Sequence, residues 1–164
     1  MADDSQGDIC PSCTEPIRSV GRRAARTAVR EAFQAEAEGR VRCAARNIKG
    51  VDVLVCSASA QSLDGDTLVE QPLVMLVSSR AEAARHLSET FLRGDTVRVG
   101  GADFEYQRSV VWKGGSASKG YVWDATGNRV LVEHGIRYRE TPTSEWKFRV
   151  MAHEFAPYRE ATEL

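Results

Sequence analysis

Long apolar runs are missing from this 164-residue chain. No stretch approaches the roughly 18 consecutive apolar residues of a membrane span. The Met1-Ala2-Asp3-Asp4 start has neither the basic nor the apolar region of a signal peptide. A cytoplasmic protein without a membrane partner is therefore expected. Cysteine is sparse as well: of four, only Cys10 and Cys13 are close in sequence, so no disulfide framework suggests itself and reduced thiols are expected. The chain has no phosphate-binding glycine loop, no nucleophile elbow and no paired metal-binding histidines. Asp64 and Asp66 flank a turn glycine and read as structural. These absences point away from an enzyme and from a bound cofactor. Internal repeats are absent too.

What is present is an uneven distribution of charge. The net charge is −1, but residues 16–50 carry nine bases against three acids. Residues 1–15 hold four acids (Asp3, Asp4, Asp8, Glu15) and no base, while 51–99 carry four bases against seven acids. A basic segment followed by a near-neutral body suits local contact with a polyanion. At this length, and with 42% hydrophobic residues, one domain with appendages is the default.

Along the chain, residues 1–15 are acidic, contain proline and lack periodicity, as in a disordered tail. Residues 16–39 read as a basic helix rich in Ala, Arg and Glu, with Pro16 in its first turn, Gly39 at its stop and only Gly21 against it. Its apolar positions include Ala25, Val29 and Phe33. Arg18, Arg22, Arg26 and Arg30 recur every four residues as a basic stripe, with Arg23 beside it. Strands are expected at Val41–Ile48, Val51–Ala60, Thr67–Ser79, Thr96–Trp112, Gly120–Trp123 and Arg129–Tyr138. Lys49-Gly50, Ser62–Asp66 and Thr126–Asn128 supply turns, and Gly100-Gly101 marks a bend or bulge. Between the third and fourth strands, Ala81, Ala84, Leu87 and Phe91 have helical spacing, and Gly94 is the stop. Residues 141–164 form an extension whose Trp146, Phe148 and Val150 alternate as in an edge strand.

An apolar strand (Leu73–Val77), an Ala-rich helix (Arg80–Leu92), an Arg93-Gly94-Asp95 turn and a long Trp112–Tyr121 hairpin follow one another in the order used by the bacterial single-stranded DNA-binding proteins. The chain resembles that family over about residues 41–139. The resemblance implies a mainly β, five-stranded oligonucleotide-binding barrel over residues 40–140, with one helix between strands 3 and 4 plus the N-terminal helix. It also implies a homo-oligomer that binds single-stranded DNA in replication, recombination or repair, with replication or recombination proteins as further partners. The chain departs from the family in having no aromatic at Val69-Glu70-Gln71-Pro72 and no acidic, apolar-ended tail.

Single-strand binding needs cations along the backbone and aromatic faces for the bases. In the fourth strand Phe104, Tyr106, Arg108, Val110 and Trp112 share one parity; Phe104 reads as core, Tyr106 and Trp112 as contacts. Tyr121 and Trp123 lie across the hairpin, with Lys113 and Lys119 at its tip. The nucleic-acid-binding set is completed by Arg42, Arg46 and Arg98. Cys10-Pro11-Ser12-Cys13 has zinc-knuckle spacing, but its partner pair is missing, and Cys43, Cys56, His86, His134 and His153 show no ligand spacing, so no complete intrachain metal site is expected. Two rival functions stay open: a protein-interaction barrel without nucleic-acid binding, and a small zinc-containing regulator that binds duplex DNA.

Overall fold

The structure is a computed structural model and describes residues 9–111 and 129–157. It is mainly β, and the described residues form two helices, α1 (Arg22–Arg40) and α2 (Arg80–Leu92). The strands are β1 (Arg42–Ile48), β2 (Val51–Asp64), β3 (Thr67–Val77), β4 (Thr96–Val99), β5 (Ala102–Val110), β6 (Arg129–Arg139) and β7 (Lys147–Pro157). Hydrogen-bonded neighbours run β1-β2-β4-β5-β6-β7, with β3 paired to β2. Among the described residues there are thus seven strands, where five barrel strands were expected. β7 falls in the C-terminal extension and is last in this order among the described residues. Among the described residues, no helix is long and apolar enough to cross a membrane.

Turn chemistry sets the register. Lys49 and Gly50 both have positive φ (51° and 84°), the combination a two-residue type I′ hairpin requires, and Ile48 faces Val51 across it. The same rule corrects the expectation at Gly100-Gly101. Their φ values of 59° and 84° make a tight turn that pairs Val99 with Ala102, so the long fourth strand is two strands rather than one bulged one. The N-terminal helix is also shorter than expected. It begins after Gly21 (φ 84°), because Ile9 bridges Pro16 and Ser19 bridges His153, which holds the preceding residues extended. A further correction concerns the thiols. Cys43 lies directly opposite Cys56 in the β1–β2 ladder with Cα atoms 4.2 Å apart, and the two are joined by a disulfide.

The chain divides into two compact units. One is drawn from residues 9–29, 107–111, 129–135 and 150–157, the other from Arg30–Tyr106 and Ile136–Arg149. In the second unit, Phe33 of α1 stacks on Phe91 of α2 with centroids 4.1 Å apart and meets Phe104 of β5 edge-on at 5.7 Å. Leu87, Val97, Val99 and Ile136 are buried in the same unit. α2 is closed at its start by Ser79, whose hydroxyl accepts from the Glu82 N–H, while the Glu82 carboxylate accepts from the Ser78 N–H at 2.8 Å.

In the first unit, β6 is buried along most of its length, with apolar partners on both faces. Val130 and Val132 pack with Ala156 and Val110. Leu131 packs with Cys10, Ile17, Val111 and Phe155, so residues of the N-terminal segment cover that side. Strands buried on both faces are expected to read as continuous apolar runs. The exceptions here are Glu133 and His134 in β6 and His153 and Glu154 in β7, all of them buried.

Candidate functional site

Because successive strand residues point to opposite faces, the Glu-His pair of β6 and the His-Glu pair of β7 place one acid and one imidazole on each side. On one side His134 is hydrogen-bonded to Glu154, and the Arg108 guanidinium lies 4.0 Å from the same carboxylate. Burial lowers the His134 pKa against the pull of Glu154, and so favours the neutral ring. On the other side Glu133 and His153 face the Cys10–Cys13 turn.

That turn is tight. The Cys10 N–H donates to the Glu15 carbonyl (2.8 Å), the Thr14 N–H donates to the Cys10 carbonyl (2.9 Å), and Thr14 has φ 63°. The Val20 N–H donates to the His153 carbonyl at 3.1 Å, which lays the following residues along β7. Cys10 Sγ donates to Glu133 Oε1 at 2.9 Å, Ser12 Oγ donates to Glu133 Oε2 at 3.4 Å, and Cys13 Sγ lies 3.4 Å from His153 Nε2. One donor atom from each of Cys10, Cys13, Glu133 and His153 lies within 4.8 Å of all the others. Cys10 and Cys13 are free thiols.

The electrostatics follow from burial. The Cys10 thiol is pushed up to about 12, chiefly by burial; the backbone N–H of Cys13 opposes this, the Glu133 hydrogen bond adds to it, and the N–H of Ser12 again opposes it. Burial also lowers the His153 pKa, while Glu133 and Glu15 pull it up. Backbone N–H groups aimed at a cysteine sulfur are suited to holding it as a thiolate once a cation replaces the proton.

The structure distributes the expected nucleic-acid residues differently from the expectation. Tyr106 meets Phe91 edge-on at 6.2 Å, on the side of the sheet that carries the Phe104 core. The Arg108 side chain is only 6% exposed. Arg98 Nε donates to Asp103 Oδ1 at 2.7 Å, and its guanidinium lies 3.7 Å from Glu70. Arg42 and Arg46 are exposed on β1, one face of the ladder. Trp112, Lys113, Lys119, Tyr121 and Trp123 lie outside the described residues, as does the expected Gly120–Trp123 strand.

A second cationic and aromatic group occurs where the sequence suggested only an edge strand. The Arg137 and Arg139 guanidiniums lie 4.3 Å and 4.5 Å from the centre of the Trp146 ring, within cation–π range. Arg149 lies 5.7 Å from the Tyr138 ring, and Phe148 is exposed. The residues missed by sequence reasoning are thus Glu133 and His153 for the cluster, and Arg137, Arg139, Trp146 and Arg149 for this surface. The available signals were titratable pairs inside the apolar runs Leu131–Ile136 and Met151–Phe155, and arginines spaced two apart in a strand.

No family model, curated protein or solved structure matches the chain.

Proposed function

We propose that the protein binds single-stranded nucleic acid without catalysis, as a divergent oligonucleotide-binding barrel of the kind found in bacterial single-stranded DNA-binding proteins, acting in DNA replication, recombination or repair. The observation that carries this reading is the half-buried Trp146 ring with Arg137 and Arg139 against it and the exposed Phe148 and Arg149 beside it in sequence. Aromatic rings offer every base a stacking surface; Arg137 and Arg139, paired with Glu105 and Asp103, brace the Trp146 ring, and the exposed Arg149 answers the phosphates. The placement of α2 between β3 and β4 supports the barrel assignment. Arg42 and Arg46 add exposed cations within the same unit.

The test is a titration of the full chain with oligo-dT at two salt concentrations, followed by tryptophan fluorescence. Trp146→Ala should weaken binding by about 5- to 150-fold, the equivalent of about 1–3 kcal/mol for one stacked base. Arg149→Ala should reduce the salt dependence. Binding that is absent, or indifferent to salt and to Trp146, overturns the reading. In that event a protein-interaction role is favoured by the exposed apolar residues Val51, Val74 and Leu76 on β2 and β3, which suit a second copy or another protein.

A further inference from the structure

We propose that Cys10, Cys13, Glu133 and His153 form a structural site for a thiophilic divalent cation of the zinc class, which pins the N-terminal segment to β6 and β7. The site is independent of the nucleic-acid reading.

Three observations converge on it. The first is donor placement. A tetrahedral ion with bonds of about 2.0–2.3 Å needs its ligands roughly 3.3–3.8 Å apart. Here all four donor atoms already lie within 4.8 Å of one another, so side-chain adjustments of an ångström or so suffice. The second is donor chemistry. Two cysteines and a histidine select zinc-like ions over magnesium or calcium, and four protein ligands leave no open position, the mark of a structural centre. The third is an unbalanced buried acid. Glu133 is 1% exposed, and among the described residues its carboxylate accepts hydrogen bonds from the Cys10 thiol and the Ser12 hydroxyl; the neighbouring His153 is itself buried, which favours its neutral ring, and no arginine or lysine is in ion-pair range. Buried carboxylates are normally matched by a cation. An ion held with the two sulfurs supplies one, and Ser12 remains as the outer partner that orients the acid.

The four ligands come from the knuckle turn and from two strands more than a hundred residues away in sequence. Ion binding therefore closes long loops, and its free energy adds to that of folding. Beside Leu131 the segment contributes buried Cys10 and the partly buried Cys13 and Ile17, a small apolar anchor.

The test uses the full chain, stripped of metal by a chelator under mild reductant and titrated with Co²⁺. One equivalent should give thiolate-to-cobalt charge-transfer absorption and the visible bands of a tetrahedral ion. Zn²⁺ should displace the cobalt and raise the melting temperature. Cys13→Ser, at a half-exposed position, should abolish the charge-transfer signal expected of two thiolates or cut it to half. Ser12→Ala should keep the spectrum but weaken affinity by about 10-fold or more. Circular dichroism of the metal-free variants tests whether they fold, and His153→Gln provides a second ligand change should Cys13→Ser fail to do so. A folded metal-free chain that shows no charge-transfer band with Co²⁺, or a band and affinity unchanged in both Cys13→Ser and His153→Gln, overturns the proposal.

Discussion

Replacing Asp103 by Asn should destabilise the protein by an amount that depends on pH in a defined direction. Asp103 is fully buried in β5 and accepts from Arg98 Nε at 2.7 Å and Arg139 Nε at 2.6 Å. Burial alone raises its pKa, but the hydrogen bonds from Arg98 and Arg139 outweigh it and hold the group below its ordinary value of 3.8. Asn keeps the shape and loses the charge. Hydrogen bonds to charged groups contribute about 1.5–3 kcal/mol each and neutral ones about 1 kcal/mol. The two guanidiniums retain 25% and 21% exposure, so they can recover some hydration. The expected loss is about 1–3 kcal/mol, less than the roughly 3–5 kcal/mol of breaking a fully buried pair.

At this chain length, that loss corresponds to a fall in melting temperature of roughly 2–12 °C. Because the folded-state pKa lies below the unfolded one, the contribution is fully present above about pH 3.8 and is lost as the pH falls through the folded value. Urea unfolding followed by circular dichroism should therefore show a constant gap between the wild type and Asp103→Asn from neutrality down to about pH 5, narrowing toward pH 3. A gap below about 0.5 kcal/mol at pH 7, or one that widens on acidification, would refute the reasoning.

Two further pairs of substitutions probe the turns and the core. At Gly100 an added Cβ would sit 3.1 Å from the Cβ and carbonyl oxygen of Arg40, in a backbone with φ 59°, whereas one at Gly101 would meet nothing within 4 Å. Gly100→Ala should thus cost about 2–3 kcal/mol in urea unfolding and Gly101→Ala about 1–2 kcal/mol; the reverse order would count against the hairpin geometry. Phe33→Ala removes the ring that meets Phe91 and Phe104 and should cost about 3–5 kcal/mol, while Phe148→Ala, 37% exposed, should cost less than about 1 kcal/mol by the same urea unfolding.

Local signals were the legible part of this sequence. α2 spans Arg80–Leu92 as its spacing indicates, because Ala84, Leu87 and Phe91 are buried on one face and Gly94, with φ 91°, ends it. The buried stripe Ala25, Val29 and Phe33 continues to Ala37, which makes α1 a core helix. The pair Gly100-Gly101 was ambiguous for a physical reason: bulges and type I′ turns both call for positive φ, and only the pairing partner distinguishes them.

The Cys43–Cys56 link was legible in principle. Once Lys49-Gly50 is a two-residue turn, Cys43 lies six residues before Lys49 and Cys56 six after Gly50, so they face each other. The four-residue cluster was not legible, because Glu133 lies 123 residues from Cys10 and His153 lies 140 from Cys13. Spacing rules for metal sites assume that both halves sit in short turns. The Cys10–Cys13 knuckle was visible, but a partner half supplied from the middle of two strands leaves no such spacing, and its trace is the placement of charged pairs in apolar runs.

The four cysteines now divide into two pairs that call for opposite handling. Cys43 and Cys56 are joined across a strand pair, whereas Cys10 and Cys13 remain thiols facing an imidazole and a carboxylate. Oxidant strong enough to keep the first pair closed can also close the second, and a Cys10–Cys13 disulfide would remove two donors at once. Reductant protects the second pair and opens the first. The redox potential of the buffer therefore selects among chemically distinct forms of one chain, and a thiol count alongside every stability or binding measurement would identify which form was present.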